Sequence, residues 1–386
     1  MAGIYLHIPF CKQACYYCDF HFSTQQELRP QFVDALIRET ELQREYLGSE
    51  PVHTVYFGGG TPSLLTPEEL TRILDALRKN FRVLPDAEVT LEANPDDLSA
   101  ARLGYLRRAG INRLSIGIQS FQADTLRFFN RAHSAADALD CVVRARQAGF
   151  ANISIDLIYG VPRKHLTDWR ADVAQALALA PEHVSAYALT IEEKTVFGRW
   201  HKKQQLHPAA EEQVAEQFEY LMEEMDLHGY AHYEISNFCK SGFLSQHNTA
   251  YWQGVSYLGL GPSAHSFRGE SRQHNVANNA LYLKSIAKAK VPFTLEALAP
   301  HERINEWIYT GLRTQWGVDC ARIKSAFGFD VQRQRRLPLE RFVKGGWITL
   351  STHTVTLTRK GKLVADAIAT ELFTDEAELG ALEKTL

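Results

Sequence analysis

The 386-residue sequence predicts an α/β protein, an incomplete (β/α)6 barrel followed by a mostly helical C-terminal region with a winged-helix-like end. Strand and helix patterns alternate through about the first 190 residues, which is typical of a parallel sheet with helical crossovers. An open doubly wound sheet would also fit this alternation. Polar residues recur where the predicted strands end, the edge at which βα barrels carry their active sites, and this favours the barrel. The alternation stops near residue 200, which separates the C-terminal region.

The predicted barrel strands are short apolar runs at residues 4–8, 54–57, 88–92, 113–118, 153–158 and 184–189. Helical periodicity predicts intervening helices at 31–46, 66–80, 99–110, 135–147 and 167–179. Thr66, Pro67 and Glu69 are typical of an N-cap, a first-turn proline and a capping box. Six units are fewer than the eight of a closed barrel, so we expect one open side that could admit a larger ligand.

Beyond the barrel we predict helices at 209–227, 281–290 and 302–314, and an aromatic, polar loop region at 233–261. The last segment reads as helices 320–327 and 331–342, strands 347–350 and 354–357, and a helix at 360–373, an order typical of a winged helix. We therefore expect a partial barrel at 1–200, a barrel extension and linking region at 201–295, and a winged-helix-like domain at 296–386.

The composition is that of an ordinary globular protein, with 45% hydrophobic and 23% charged residues. A net charge of −3 gives no general attraction to nucleic acid, and the winged-helix-like end carries no concentrated basic stripe. A transcription regulator is therefore disfavoured, and this end is expected to dock a protein or act as a lid. No apolar stretch is long enough to span a bilayer, so a cytoplasmic location is expected.

Three cysteines, Cys11, Cys15 and Cys18, follow the first predicted strand in a CxxxCxxC pattern. This spacing favours three thiolate ligands of a [4Fe–4S] cluster whose fourth iron stays open to a small molecule. A structural zinc site with His7 or His21 as a further ligand is the alternative, although zinc sites usually pair CxxC with a second, distant pair. Disulfides are not expected, because nothing reads as a signal peptide and the other cysteines show no framework spacing.

Further polar residues follow the other predicted strands. The glycines 58–60 could let a ligand approach the backbone, and Glu92 and Gln119 could bind ribose hydroxyls. Arg131 could bind a carboxylate, and Asp156 would be a costly buried charge unless it is paired. Each is more often a structural residue when taken singly. Together they suit a zwitterionic, ribose-bearing cofactor such as S-adenosylmethionine.

With these motifs the sequence resembles the radical S-adenosylmethionine (SAM) superfamily, and within it the oxygen-independent coproporphyrinogen III oxidase group. The matching segments are residues 5–11 (YLHIPFC), 57–62 (FGGGTP), 91–95 (LEANP), 114–121 (LSIGIQSF), 130–131 (NR) and 156–162 (DLIYGVP). The resemblance implies that Cys11, Cys15 and Cys18 bind the cluster. It also implies that the SAM site is lined by Tyr5, Tyr17, Gly59, Gly60, Thr61, Glu92, Gln119, Arg131 and Asp156.

Two departures from the oxidases point to the related HemW-type haem chaperones. Phe20 stands where the oxidases have a further cysteine, and only ten residues precede Cys11, whereas the oxidases have a longer N-terminal arm. A third feature is the HNxxYW motif of that subgroup, formed here by His247, Asn248, Tyr251 and Trp252.

The resemblance implies a haem chaperone that binds a [4Fe–4S] cluster, SAM and haem and delivers haem to client haemoproteins. Decarboxylation of coproporphyrinogen III by a radical enzyme is the alternative. Haem contact is expected at the HNxxYW motif, with His247 or His265 as candidate axial ligands; without the resemblance, His247 would read as a core residue. The expected oligomeric state is a monomer or a homodimer, and peripheral membrane docking through a partner is compatible with the sequence.

Overall fold

Six parallel strands form the centre of the structure, a computed structural model that describes residues 1–383. In chain order these strands are β1 (Ala2–Ile8), β2 (Val52–Gly59), β3 (Val83–Ala93), β4 (Arg113–Gln119), β5 (Ile153–Tyr159) and β6 (His183–Ala188). The helices that connect them are α1 (Arg29–Leu42), α2 (Pro67–Asn80), α3 (Ala100–Ala109), α4 (Ala123–Phe128), α5 (Ala135–Gln147) and α6 (Leu166–Leu179). Each neighbouring pair of strands is parallel, as helical crossovers require.

The helix ends follow the predicted signals. The Thr66 hydroxyl accepts a bond from the Glu69 amide, and the Glu69 carboxylate accepts one from the Thr66 amide, which forms the predicted capping box before α2. Gly110 ends α3 at a φ of 103°, the left-handed conformation that favours glycine. Ser99 caps the start of the same helix through the Arg102 amide.

The region after β6 adds strands to both sides of the sheet. Its elements are α7 (Val196–Lys202), α8 (Glu211–Leu227), β7 (Ala231–Glu234), β8 (Asn237–Cys239), α9 (Gln246–Trp252), β9 (Ser256–Leu260), β10 (His265–Arg268), β11 (Ser271–Asn275), α10 (Asn279–Ile286) and β12 (Phe293–Ala297). The twelve strands run in the order β12-β11-β10-β9-β1-β2-β3-β4-β5-β6-β8-β7. Within residues 1–383, β12 and β7 are the two edges and do not pair, so the prediction of an incomplete barrel is confirmed.

The C-terminal region packs around a second, smaller core that includes Ile304, Leu339 and Leu372. Its elements are α11 (Pro300–Leu312), β13 (Val318–Asp319), α12 (Cys320–Phe327), α13 (Val331–Gln334), α14 (Arg336–Lys344), β14 (Ile348–Leu350), β15 (Thr354–Leu357), α15 (Arg359–Lys362), α16 (Ala365–Leu372) and α17 (Glu376–Glu383). The three strands form a sheet in the order β13-β15-β14 beside the helices, which matches the winged-helix-like prediction.

Three sequence-based predictions differ from the structure. The segment 233–261 is not a loop region, because it contains β8, α9 and β9. The predicted helices 331–342 and 360–373 are each divided in two, at Arg335 and around Leu363. Strands β10 to β12 were not predicted. The segment limits at 200 and 295 stay a prediction.

Three apolar clusters form the core of the described residues. The largest one fills the space between the twelve-stranded sheet and its helices, with Ile4, Leu6 and Ile8 of β1 fully buried. The alternate residues of β1, Tyr5 and His7, therefore face the interior of the partial barrel. Among residues 1–383, no helix combines the length and apolar character needed to cross a bilayer.

Candidate cofactor site and aromatic cleft

The cysteines lie in a loop that closes on itself directly after β1. The Cys11 amide donates to the Ser23 carbonyl at 3.0 Å, and the Ser23 amide donates to the Pro9 carbonyl at 2.8 Å. Cys11, Cys15 and Cys18 are all partly buried and free of disulfides. The loop thus presents three thiols on a short, closed segment at the carboxyl end of the sheet.

Residues after α4 hold the other side of this loop. The Asn130 side-chain amide donates to the Ala14 carbonyl at 2.8 Å, while the Gln13 side chain donates to the Asn130 carbonyl at 3.0 Å. The Tyr16 amide donates to the Phe129 carbonyl at 3.1 Å. Asn130 adopts a φ of 57°, a left-handed conformation that asparagine tolerates better than most residues. Asn130 therefore fixes the position of the cysteine loop relative to the next residue, Arg131.

Two thiols receive hydrogen bonds from predicted site residues. The Thr61 hydroxyl donates to Cys11 Sγ at 3.4 Å, and Arg131 Nη1 donates to Cys15 Sγ at 3.4 Å. The same guanidinium donates to the Tyr17 hydroxyl at 3.3 Å and to the Asn94 side chain at 2.6 Å. Such donors stabilise thiolates and tune the potential of a cluster bound to them. Asn94, at the end of β3, completes this set although it was not predicted to line the site.

The spacing of the thiols bears on the choice between a cluster and a single zinc ion. Among residues 1–383, no three His, Cys, Asp or Glu side chains converge as one metal ion would require. A [4Fe–4S] cluster takes each thiolate on a different iron, so its ligands need not converge on one point. His7 Nε2 and Nδ1 lie at hydrogen-bond distance from the His21 carbonyl and the Tyr5 hydroxyl, and His21 Nε2 from Asn279. Both histidines named as further zinc ligands are thus engaged within the protein, and the identity of the bound metal group stays a prediction.

The glycines at the end of β2 pack closely against β1 and the loop that follows it. A Cβ on Gly59, which has a φ of 104°, would lie 2.7 Å from the His7 ring. A Cβ on Gly60 would lie 2.8 Å from backbone atoms of Ile8 and Phe10. The side on which a Cβ would point is therefore filled by β1 and its loop, and the approach of a ligand to the glycine backbone stays a prediction. The Gly59 amide remains useful to the site, because it donates to Glu92 at 3.2 Å.

Glu92 and Asp156 project into the interior of the partial barrel. Glu92 accepts a bond from the Tyr56 hydroxyl at 2.8 Å, and burial raises its pKa to about 7. Burial likewise raises the pKa of Asp156 to about 6, against the opposing effect of Ser115, Ser185 and the Arg113 charge. Arg113 is 1% exposed and was missed, although an arginine at the start of an apolar strand was a visible signal. Its positive charge opposes the rise in the pKa of both carboxyl groups.

Tyr5 and Gln119 complete the predicted set. The Tyr5 hydroxyl lies 3.2 Å from His7 Nδ1, and burial raises the pKa of this phenol far above its usual range. Gln119 ends β4 at a φ of 68°, and its side-chain Nε2 would lie 2.9 Å from a Cβ placed on Gly117. Gly117 also accepts a bond from Arg131 at 2.7 Å. Tyr5, Glu92, Gln119, Arg131 and Asp156 therefore gather on the inner, carboxyl-end side of one sheet.

His247 lies beside that site in the barrel interior, where its ring stacks on Tyr5 with centroids 6.4 Å apart. It is 1% exposed, and its ring stacks on Tyr56 with centroids 5.1 Å apart. Nδ1 lies 2.8 Å from the Thr54 hydroxyl and Nε2 lies 2.7 Å from the Tyr251 hydroxyl, so both ring nitrogens are engaged. Burial lowers the pKa of His247 to about 3. In this conformation both nitrogens are hydrogen-bonded within the protein and the ring joins α9 to β2. The role of His247 in haem binding stays a prediction.

Tyr251 and Trp252 line a separate cleft of about 530 Å³ between the sheet and the C-terminal region. Its aromatic walls consist of Tyr251, Trp252, Tyr257, Phe267, Trp307 and Trp316. Arg272 and Arg322 add positive charge, Arg272 in a 2.8 Å ion pair with Glu306 and Arg322 stacked 4.0 Å from the Trp307 ring centroid. Asn248, partly buried in α9, is outside this lining. Sequence reasoning found only the HNxxYW part of the cleft.

Comparison with known proteins finds separate family matches for the barrel and for the C-terminal region. Residues 5–175 match the Radical SAM superfamily, and residues 298–364 match the HemN C-terminal domain. The "Heme chaperone HemW" of Bacillus subtilis (strain 168) is 37% identical over 371 residues, covering 95% of this chain and 98% of the relative. The protein of the same name from Mycobacterium tuberculosis (strain ATCC 25618 / H37Rv) is 36% identical over 375 residues, covering 96% and 94%.

The chain belongs to the HemW-type subgroup of the radical SAM superfamily. Among solved structures, the coproporphyrinogen III oxidase HemN of Escherichia coli aligns with a TM-score of 0.83 and 23% identity over 97% of this chain and 90% of its own. That alignment supports the fold alone. Membership in the superfamily implies a [4Fe–4S] cluster and SAM, and the loop with three free thiols and two donors to them fits such a cluster.

Proposed function

We propose that the chain is a haem chaperone that binds a [4Fe–4S] cluster, SAM and haem and passes haem to client haemoproteins. The observation that carries this proposal is the aromatic cleft, since it joins the Tyr251 and Trp252 side chains of the HNxxYW motif to aromatic residues of the C-terminal region. The similarity to chaperones along nearly the whole chain supports it.

At the cofactor end, Cys11, Cys15 and Cys18 would hold the cluster, with Thr61 and Arg131 donating to two of the sulfurs. Tyr5, Tyr17, Gly59, Gly60, Glu92, Gln119 and Asp156 would complete the SAM site. The cluster would supply one electron to the bound sulfonium. The carboxyl groups inside the barrel have raised pKa values, Glu92 about 7 and Asp156 about 6, so they could accept bonds from ribose hydroxyls or hold a proton.

At the cleft, the flat aromatic walls suit a porphyrin, and the volume lies in the range of small-molecule sites. Arg322 is exposed at the rim, where its guanidinium could pair with a propionate. Trp316 and Arg322 of this cleft are exposed to solvent, which favours release to a partner over permanent retention. His247 would position Tyr251 through the 2.7 Å bond between them.

Haem transfer after anaerobic reconstitution with iron and sulfide tests this proposal. The reconstituted protein should bind haem with a Soret shift and then give it to an apo-haemoprotein such as apomyoglobin. With coproporphyrinogen III, SAM and a reductant it should form no protoporphyrinogen. Robust protoporphyrinogen formation without haem transfer would overturn the chaperone proposal and favour the oxidase.

A further inference from the structure

The sheet face that lines part of the aromatic cleft also carries a pair of histidines, His265 and His274, beyond the cleft lining. Tyr257 of β9 pairs with Phe267 of β10, and Phe267 pairs in turn with Arg272 of β11; all three line the cleft. His265 and His274 form the next such pair on the same two strands. Because directly opposed residues, and residues two apart on one strand, share a face, both histidines lie on the face that lines the cleft.

The distance from the cleft is short. His265 is two residues from Phe267, and His274 is two residues from Arg272, which corresponds to ~7 Å along an antiparallel strand. Tyr257 also pairs with Gly3 of β1, two residues before Tyr5, so this face is continuous with the barrel interior. A planar ligand against Phe267 and Arg272 would therefore extend toward the two imidazoles.

The imidazoles of His265 and His274 have ring nitrogens available for iron, whereas both ring nitrogens of His247 are hydrogen-bonded. Their ring centroids are 5.5 Å apart with an interplanar angle of 29°, and both side chains are exposed. Among residues 1–383, neither ring has a hydrogen-bond partner. The charged side chains beside them on this face are Arg272 and Glu296, which are paired across β11 and β12. An imidazole with an uncommitted nitrogen is a common ligand for haem iron.

We propose that the His265–His274 pair supplies the axial imidazole to the iron of haem bound in the aromatic cleft. The assignment rests on the proposed function, because it requires that haem enters this cleft. One neutral ring nitrogen donates its lone pair to the iron and displaces a solvent ligand, with no change in oxidation state. The second imidazole stands beside the first on the neighbouring strand and can replace it.

The test is a haem titration of the full-length reconstituted protein and of His265→Ala, His274→Ala and the double variant. Binding is followed by quenching of tryptophan fluorescence, and iron ligation by the Soret position and the electron paramagnetic resonance (EPR) spin state. His207→Ala is the matched control, an exposed histidine between α7 and α8 that lines no part of the cleft. Circular dichroism and iron content verify that each variant is folded and reconstituted.

The double variant should still quench tryptophan fluorescence, but its haem should lose the imidazole-type spectrum and regain it when free imidazole is added. The single variants should show partial changes and His207→Ala none. A double variant whose Soret and EPR spectra match the wild type would overturn the ligand assignment and leave the haem chaperone proposal intact. A wild-type protein that neither quenches nor shifts the Soret band would overturn both.

Discussion

The cofactor end and the aromatic cleft differ in how their polar and aromatic side chains are held within the protein. At the cofactor end the Arg131 guanidinium is fixed by four hydrogen-bonded partners within the protein. In the cleft, Arg322 and Trp316 are exposed, and Arg322 makes no ion pair within residues 1–383. A preorganised site suits a cofactor that is held in one geometry, whereas an open aromatic surface suits a ligand that is taken up and released.

The strongest test of this contrast is Cys15→Ser. Each thiolate is expected to hold one iron, and a serine hydroxyl replaces it poorly because it remains protonated at neutral pH. We expect iron and labile sulfide after anaerobic reconstitution to fall to near background, and the EPR signal of the reduced cluster to disappear. Haem binding in the cleft should be unchanged, because none of the cysteine-loop residues lines it.

Cys320→Ser is the control for that experiment. Cys320 is buried in α12, and its thiol donates to the Val318 carbonyl at 3.8 Å, far along the chain from the loop. This variant should reconstitute like the wild type. Full cluster content in Cys15→Ser would remove Cys15 from the ligand set, and parallel loss of haem binding would show that the two ends are coupled.

Most of the cofactor end could be predicted from sequence because its residues follow strands whose apolar runs are easy to recognise. A parallel sheet brings all strand carboxyl ends to one edge, so Glu92, Gln119 and Asp156 meet without any knowledge of packing. The packing contacts of the glycines could not be predicted in the same way. A side chain at Gly59 or Gly60 would clash with His7 or with the loop after β1, and these contacts form only when the chain folds.

The pH dependence of stability offers a second test at the cofactor end. Burial raises the pKa of Glu92 from its ordinary 4.5 to about 7. The folded state therefore holds this proton more tightly than the unfolded chain, so stability falls as pH rises from about 4.5 to about 7 and is level above that. Glu92→Gln removes the titrating group, and the fall between pH 5 and pH 8 should shrink by on the order of 3 kcal/mol.

Urea unfolding at these two pH values measures the effect, with Glu216→Gln, an exposed glutamate on α8, as the control. Asp156 stays in both proteins, so its own contribution to the slope is retained in the comparison. The control should keep the full pH dependence of the wild type. An equal fall in the free energy of unfolding of the wild type and Glu92→Gln would mean that Glu92 is solvated as in the unfolded chain. Water would then reach the carboxyl group inside the barrel.

The cleft could not be predicted as a unit, because its walls come from distant segments. Tyr251 and Trp252 were found through their motif, whereas Phe267, Trp307 and Trp316 have no shared sequence pattern. Strands β10 and β11 were missed because their polar residues, such as Ser271 to Asn275, lack a clear apolar alternation. The HNxxYW motif also drew attention to His247, although its buried ring is the member with no free nitrogen.

Trp316→Ala sharpens the comparison with the smallest expected effect. Trp316 is 39% exposed and lines the cleft, so its removal should cost little folding stability while it deletes part of the surface that would cover a porphyrin. We expect haem affinity to fall about tenfold, since a partly covered aromatic side chain contributes roughly 1–2 kcal/mol.

The control is Leu337→Ala, which shortens an apolar side chain that is 69% exposed on α14, and this variant should bind haem normally. Cluster content should be the same in all three proteins. Unchanged affinity in Trp316→Ala would place haem elsewhere and leave the aromatic cleft without its proposed ligand.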